Sequence, residues 1–122
     1  MELSMAEKLQ RALSIRQPYV ELILCGRKKE EYRSRPTSIR GRVYLYAGQK
    51  PGDYDWAAQK YGVRCQSDSL LVGRIVGSVE LVGCKVQRNG EYAWLLAKPR
   101  RYRTALMPRN QPQPSFWKPR FR

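Results

Sequence analysis

A small, mainly β barrel with two or more short helices, an α+β fold, is predicted by three features of the sequence. Short runs of β-branched and aromatic residues recur along the chain, and "GRVYLYAG" is the clearest of them. Gly73, Gly77 and Gly83 interrupt the longest run in the way bent, bulged barrel strands require. Two helix signals are short and lie among the strand signals. With 122 residues the chain can bury a real core in one domain and is too short for two ordinary ones. That domain is expected over 1–122, with its core at 12–118 and flexible termini at 1–10 and 119–122.

In chain order, "SIRQPYVELILCG" reads as a loop entering a short helix, with Pro18 in the first turn and Gly26 just past the end. Residues 29–35 read as extended. Strand 41–47 follows, where Val43 and Leu45 alternate with Arg42, Tyr44 and Tyr46, so the two tyrosines point away from the apolar pair. "DYDWAAQKYG" predicts a second helix, capped by Asp53 and stopped by Gly62. "SLLVGRIVGSVELVGCKV" predicts strongly bent strands, and "YAWLLAKP" and "SFWKP" predict later ones. The proline-rich "PRNQPQPSFWKPRFR" predicts a wrapping tail or a loop around the barrel.

Twenty-four Lys plus Arg against ten Asp plus Glu give a net charge of +14, which repels other copies and attracts polyanions, nucleic acid first among them. A monomer is therefore expected. No apolar run approaches the roughly 20 residues of a spanning helix, and "MELSMAEKLQRAL" has no signal-peptide core, so the expected location is the cytoplasm, away from membrane. The chain has no histidine, which excludes Ser-His and Cys-His catalysis; with three scattered cysteines it also argues against a zinc site. No metal or cofactor is expected, and Cys25 and Cys84 read as core filler.

The strip "GRKKEEYRSR" packs five basic residues and two carboxylates directly behind the first helix. Along a strand, Lys29, Glu31, Arg33 and Arg35 share one face and Glu30, Tyr32 and Ser34 the other. Lys28 has the wrong parity and can join Glu31 and Arg33 only from the turn after Gly26. Glu31 and Arg33 are then either an ordinary solvated ion pair or part of a pocket for a polar, anionic ligand. Ser14, Arg16 and Gln17 stand where unsatisfied N–H groups at a helix start attract anions, or where Ser14 or Gln17 ties down the turn. Tyr46 either stacks on a base or packs. "KPRRYR", with Lys98, Arg100, Arg101 and Arg103, is a solvated strand edge or a phosphate track.

Taken together, "ALSIRQPYVELILCGRKKEEYRSRPTSIRGRVYLYAGQK", "LLVGRIVGSVELVGC" and "YAWLLAKP" resemble the ASCH domain, over about Ala12 to Lys118. Gly26, Lys28, Glu31 and Arg33 satisfy that family's GxKxxExR motif. The chain departs from the family in "MPRNQPQPSF", which has no glycine at the bend before Phe116 and Trp117. The resemblance implies a PUA-like β-barrel with a cleft beside the first helix, motif residues facing a ligand, and RNA or single-stranded DNA as partner. In such a cleft Lys28 and Arg33 supply positive potential and phosphate contacts, while Glu31 accepts from an exocyclic amine or orients the two cations. Arg35 and Arg40 join Ser14, Arg16, Gln17, Tyr46 and the Lys98–Arg103 cations as the remaining binding candidates. One branch of the family hydrolyses acetylcytidine with a Lys, a Thr and a Glu. Lys28 matches that Lys, but Glu31 stands at the Thr position without a hydroxyl, so Lys28 and Glu31 are the catalytic candidates of a second, hydrolytic reading. RNA cleavage, attributed to other members, could use Lys28 with Tyr or Ser hydroxyls. A third reading, a protein-binding adaptor, rests on the proline-rich tail and the barrel edge. Nucleic-acid binding is the reading these residues favour.

Overall fold

In the computed structural model, which describes residues 2–121, the chain runs α1 (Met5–Leu9), β1 (Ala12–Arg16), α2 (Tyr19–Leu24), β2 (Glu30–Arg33), β3 (Gly41–Gly48) and α3 (Tyr54–Tyr61). After a 3₁₀ turn at Ser67–Ser69 come β4 (Arg74–Val86), β5 (Tyr92–Leu106) and β6 (Phe116–Trp117). The six strands make one sheet in the order β2-β5-β4-β3-β1-β6, in which β1 and β3 are parallel and the other neighbours antiparallel. It curls into a half-barrel with short helices, the mainly β, α+β, PUA-like arrangement expected. Among the described residues no helix is long and apolar enough to cross a membrane.

β3 is the centre of the core because it is buried on both sides. Val43 and Leu45 join Leu13, Ile15, Val20 and Ile23 in one apolar cluster. Tyr44 and Tyr46, which point away from that pair, join Ala12, Ile75 and Trp117 in a second cluster on the opposite face, so Tyr46 takes the packing role of its two alternatives. The side chains alternate, and both faces are covered. The Tyr44 hydroxyl donates to the carbonyl oxygen of Glu7 at 2.7 Å, so α1 sits over it.

Four local outcomes differ from expectation. Residues 14–16, read as part of a loop, belong with Ala12 and Leu13 to β1, because Leu13 and Ile15 alternate with Ser14 and Arg16 and the strand is paired on both sides. Met5–Leu9, within the presumed flexible N-terminus, is a helix closed by a Ser4–Glu7 capping box. Cys25, expected in the core, is exposed because it falls at the end of α2. β5 runs through Pro99: Ser78 pairs with Arg100 and Glu80 with Ala97, so Lys98 (φ 51°) and Pro99 form a bulge where proline's missing donor is tolerated.

The proline-rich segment crosses beside the barrel as a pinned strap. At its neck Asn110 donates to the Lys118 carbonyl oxygen at 2.9 Å and accepts from the Arg120 N–H at 2.7 Å. Asn110 thus holds the bend that lacks a glycine. At the other end β6 pairs with β1, and Trp117 Nε1 donates to Ser14 Oγ at 2.9 Å.

Candidate functional site

The turn that ends α2 decides where the charged motif lands. Gly26 adopts φ 83°, a left-handed conformation that favours glycine, and the N–H groups of Arg27 and Lys28 both donate to the Leu22 carbonyl oxygen at 2.9 Å. Lys28 therefore leaves the helix before β2 begins and escapes strand parity. Its ammonium lies 3.4 Å from Glu31 Oε1, and Glu31 Oε2 accepts from Arg33 Nε at 2.8 Å. One carboxylate bridges both cations.

Arg33 also donates to the Ser14 carbonyl oxygen at 2.9 Å and lies 5.3 Å from the centroid of the Trp94 ring. Three strands separate β2 from β1 in the sheet, so this bond crosses the open side of the half-barrel. Glu31 is 8 % exposed and is no solvated surface pair. Lys28 is more enclosed still, surrounded by the rings of Tyr19, Tyr32 and Tyr61 at 4.8–5.7 Å and donating to the Tyr61 hydroxyl at 3.3 Å. Burial holds the Lys28 pKa below the usual lysine value, and the neighbouring Glu31 carboxylate opposes that shift in part. Burial likewise pushes the Tyr61 phenol up to about 12.

In front of this group opens a cleft of about 670 Å³ beside α2. Ser14, Ile15 and Arg16 of β1 and Tyr46 of β3 form one side, Glu31 and Arg33 another, and Tyr19, the first residue of α2, joins the lining. Gly48, Gln49 and Lys50 enter from the loop after β3, and Gln111–Pro114 of the strap closes the remaining wall. Its charged lining is three cations, Arg16, Arg33 and Lys50, against the single carboxylate of Glu31.

Among protein families, the model of the ASCH domain matches residues 13–104. The chain belongs to the ASCH domain family. No curated protein matches it. The match spans β1 through most of β5 and leaves out the strap, so one wall of this ASCH domain's cleft lies beyond the matched residues.

Of the residues singled out in the sequence, Ser14, Arg16, Glu31, Arg33 and Tyr46 line the cleft of this ASCH domain. Lys28 stands behind Glu31 and borders a second hollow of about 270 Å³ with Lys29 and Lys98. Gln17 does not reach the cleft. It is buried, its Oε1 accepts from the Glu21 N–H at 3.0 Å and its Nε2 donates to the Leu71 carbonyl oxygen at 3.1 Å, so it ties down the start of α2. Arg35 and Arg40 are exposed outside the cleft, and the Arg35 carbonyl oxygen holds Trp94 Nε1.

The run Lys98–Arg103 is not one track, because strand alternation divides it. Arg101 turns toward α2 and grips Glu21 through two bonds of 2.8 Å, while the adjacent Tyr102 packs on Tyr44 of the second cluster. Lys98 lies 4.0 Å from Glu80, and Arg100 and Arg103 have no ion-pair partner among the described residues.

Tyr19, Tyr61, Gln49, Lys50 and Gln111–Pro114 were not foreseen. The "QKPG" turn and the proline spacing of "QPQP" mark loops in the sequence, but nothing local says that these loops meet at one cleft.

Proposed function

We propose that this ASCH domain binds single-stranded nucleic acid, RNA or DNA, by taking one nucleotide into the cleft. The observation that carries the reading is the Glu31 carboxylate, fixed between Lys28 and Arg33 inside a cleft whose other charges are all positive. Each carboxylate oxygen has donor-accepting capacity left after its one cation, enough for the exocyclic amine or ring N–H of a base. Arg16 and Lys50, both exposed, stand ready for phosphate, and the cleft volume lies within the range of small-ligand sites. Across the chain, +14 makes phosphate neutralisation the largest source of affinity.

Binding is favoured over hydrolysis because Lys28 is 4 % exposed and already engaged by Glu31 and Tyr61, a poor position for attacking a substrate. Fluorescence anisotropy of a labelled single strand, titrated at several salt concentrations, tests the proposal. With about four to six phosphates contacted, log K should fall against log salt with a slope of about −3 to −4. Arg33→Met should weaken a preferred base more than others, whereas Arg100→Ala with Arg103→Ala should weaken every sequence alike. Affinity that does not respond to salt, or no binding at about 50 mM salt, would refute it.

A further inference from the structure

α3 carries an aromatic surface next to the cleft that the motif does not include. Tyr19, which lines the cleft, meets Trp56 edge-to-face at 6.1 Å between centroids, and Trp56 meets Tyr61 in the same manner at 6.3 Å. The Asp53 carboxylate accepts from the Trp56 N–H at 2.9 Å, which fixes the backbone under the indole. Yet Trp56 is 44 % exposed, against 3 % for Trp94 and 6 % for Trp117. A half-open indole gives up much of the burial that would justify a tryptophan on a surface helix. One turn on, Lys60 holds its ammonium 5.2 Å from the indole centroid and 4.6 Å from that of Tyr32. The exposed neighbours on α3, Asp55 and Gln59, are polar, so this is one ring with a cation beside it rather than an apolar patch suited to a protein partner.

We propose that Trp56 is a stacking shelf for the nucleobase adjacent to the one in the cleft, with Lys60 meeting the phosphate of that nucleotide. The inference rests on the cleft holding a nucleotide. Continuity through Tyr19 sets the path, and an indole face beside an ammonium is the chemistry that holds an unpaired base and its backbone without regard to base identity.

The test titrates the wild type, Trp56→Ala and Trp56→Phe with uridine monophosphate, by competition, and with a uridine tetranucleotide. Trp56→Ala should lose about 5- to 150-fold in affinity for the tetranucleotide while its affinity for the mononucleotide changes less than about two-fold. Trp56→Phe should keep most of the affinity. The tetranucleotide should quench wild-type tryptophan emission, and that quenching should disappear in Trp56→Phe, since the other two indoles are buried. Equal losses for both ligands, an unchanged tetranucleotide affinity, or quenching that survives in Trp56→Phe would each overturn the shelf and leave the cleft reading standing. A wild type that binds neither ligand at about 50 mM salt would overturn both.

Discussion

Glu31→Gln removes one charge and almost no volume, and its cost follows from two distances. In the wild type Oε1 faces the Lys28 ammonium at 3.4 Å and Oε2 faces Arg33 Nε at 2.8 Å. A glutamine has one acceptor oxygen. If it stays on Arg33, the amide NH2 points at Lys28, a donor facing a donor. Breaking a buried pair by removing one partner costs about 3–5 kcal/mol, and losing one charge-assisted hydrogen bond about 1.5–3 kcal/mol. The Glu31 side chain keeps 10 % of its exposure, and Arg33 retains its bond to Ser14, so about 2–4 kcal/mol is expected. At about 2.1 cal/mol/K per residue, 122 residues translate each kcal/mol into about 4 °C, a fall in Tm of about 8–16 °C.

The deficit should also depend on pH. Glu31 supplies both the charge and the hydrogen bond that hold the Lys28 pKa up, so in the variant that pKa falls further below its unfolded value of about 10.4. Between those two values the unfolded chain binds more protons than the folded one, and stability rises with pH. Melting curves recorded by circular dichroism at about pH 7, 8 and 9 should therefore show the gap to the wild type narrowing. A loss below about 1 kcal/mol, as for an exposed pair, or a gap that does not shrink with pH, would refute the account of Lys28 and Glu31 as a buried, mutually dependent pair.

Alkaline conditions should destabilise the wild type through its phenols. Burial raises the pKa values of Tyr44 and Tyr61 above the unfolded value near 10, so stability present below about pH 10 is lost as pH climbs toward about 12; Tm values that stay level from about pH 9 to 11, or phenolate absorbance appearing at an ordinary tyrosine pKa before unfolding, would contradict this. Gly77→Ala would drive a Cβ into the Arg100 carbonyl oxygen and Leu24 Cδ2, and because a backbone atom cannot step aside, a loss of about 3 kcal/mol by chemical denaturation is expected. A change under about 1 kcal/mol would mean that β4 and β5 separate easily at this point.

Features governed by short-range chemistry were legible in the sequence. Asp53 and Gly62 bracket α3 as expected, β3 is where its alternation put it, and the parity of "KKEEYR" foretold that Lys28 would reach Glu31 only from the turn. What escaped depends on residues distant along the chain. Whether Tyr44 and Tyr46 face water is decided by Trp117, Tyr102 and Phe121 covering their face. Whether Arg101 is available for phosphate is decided by Glu21, 80 residues away. The enclosure of Lys28 needs Tyr61 at the far end of α3, and the cleft needs the strap. β1 escapes for a different reason: the proline and helix signals just after it mask the alternation of its five residues.

β6 is two residues long, and its placement has a consequence for any attempt to isolate the domain. Ala12 and Leu13 pair with Trp117 and Phe116, and the Ser14 N–H donates to the Ser115 carbonyl oxygen at 3.1 Å. Without residues 115–117, β1 becomes an edge strand whose unpaired backbone groups are flanked by Leu13 and Ile15, the kind of edge that recruits a strand from another molecule. The span recognised by the family ends at residue 104, so a fragment trimmed to it exposes that edge and loses the Gln111–Pro114 wall in one cut. Such a fragment should self-associate despite its positive charge. The boundary of the working unit is set by which chain segment protects β1 from its own copies.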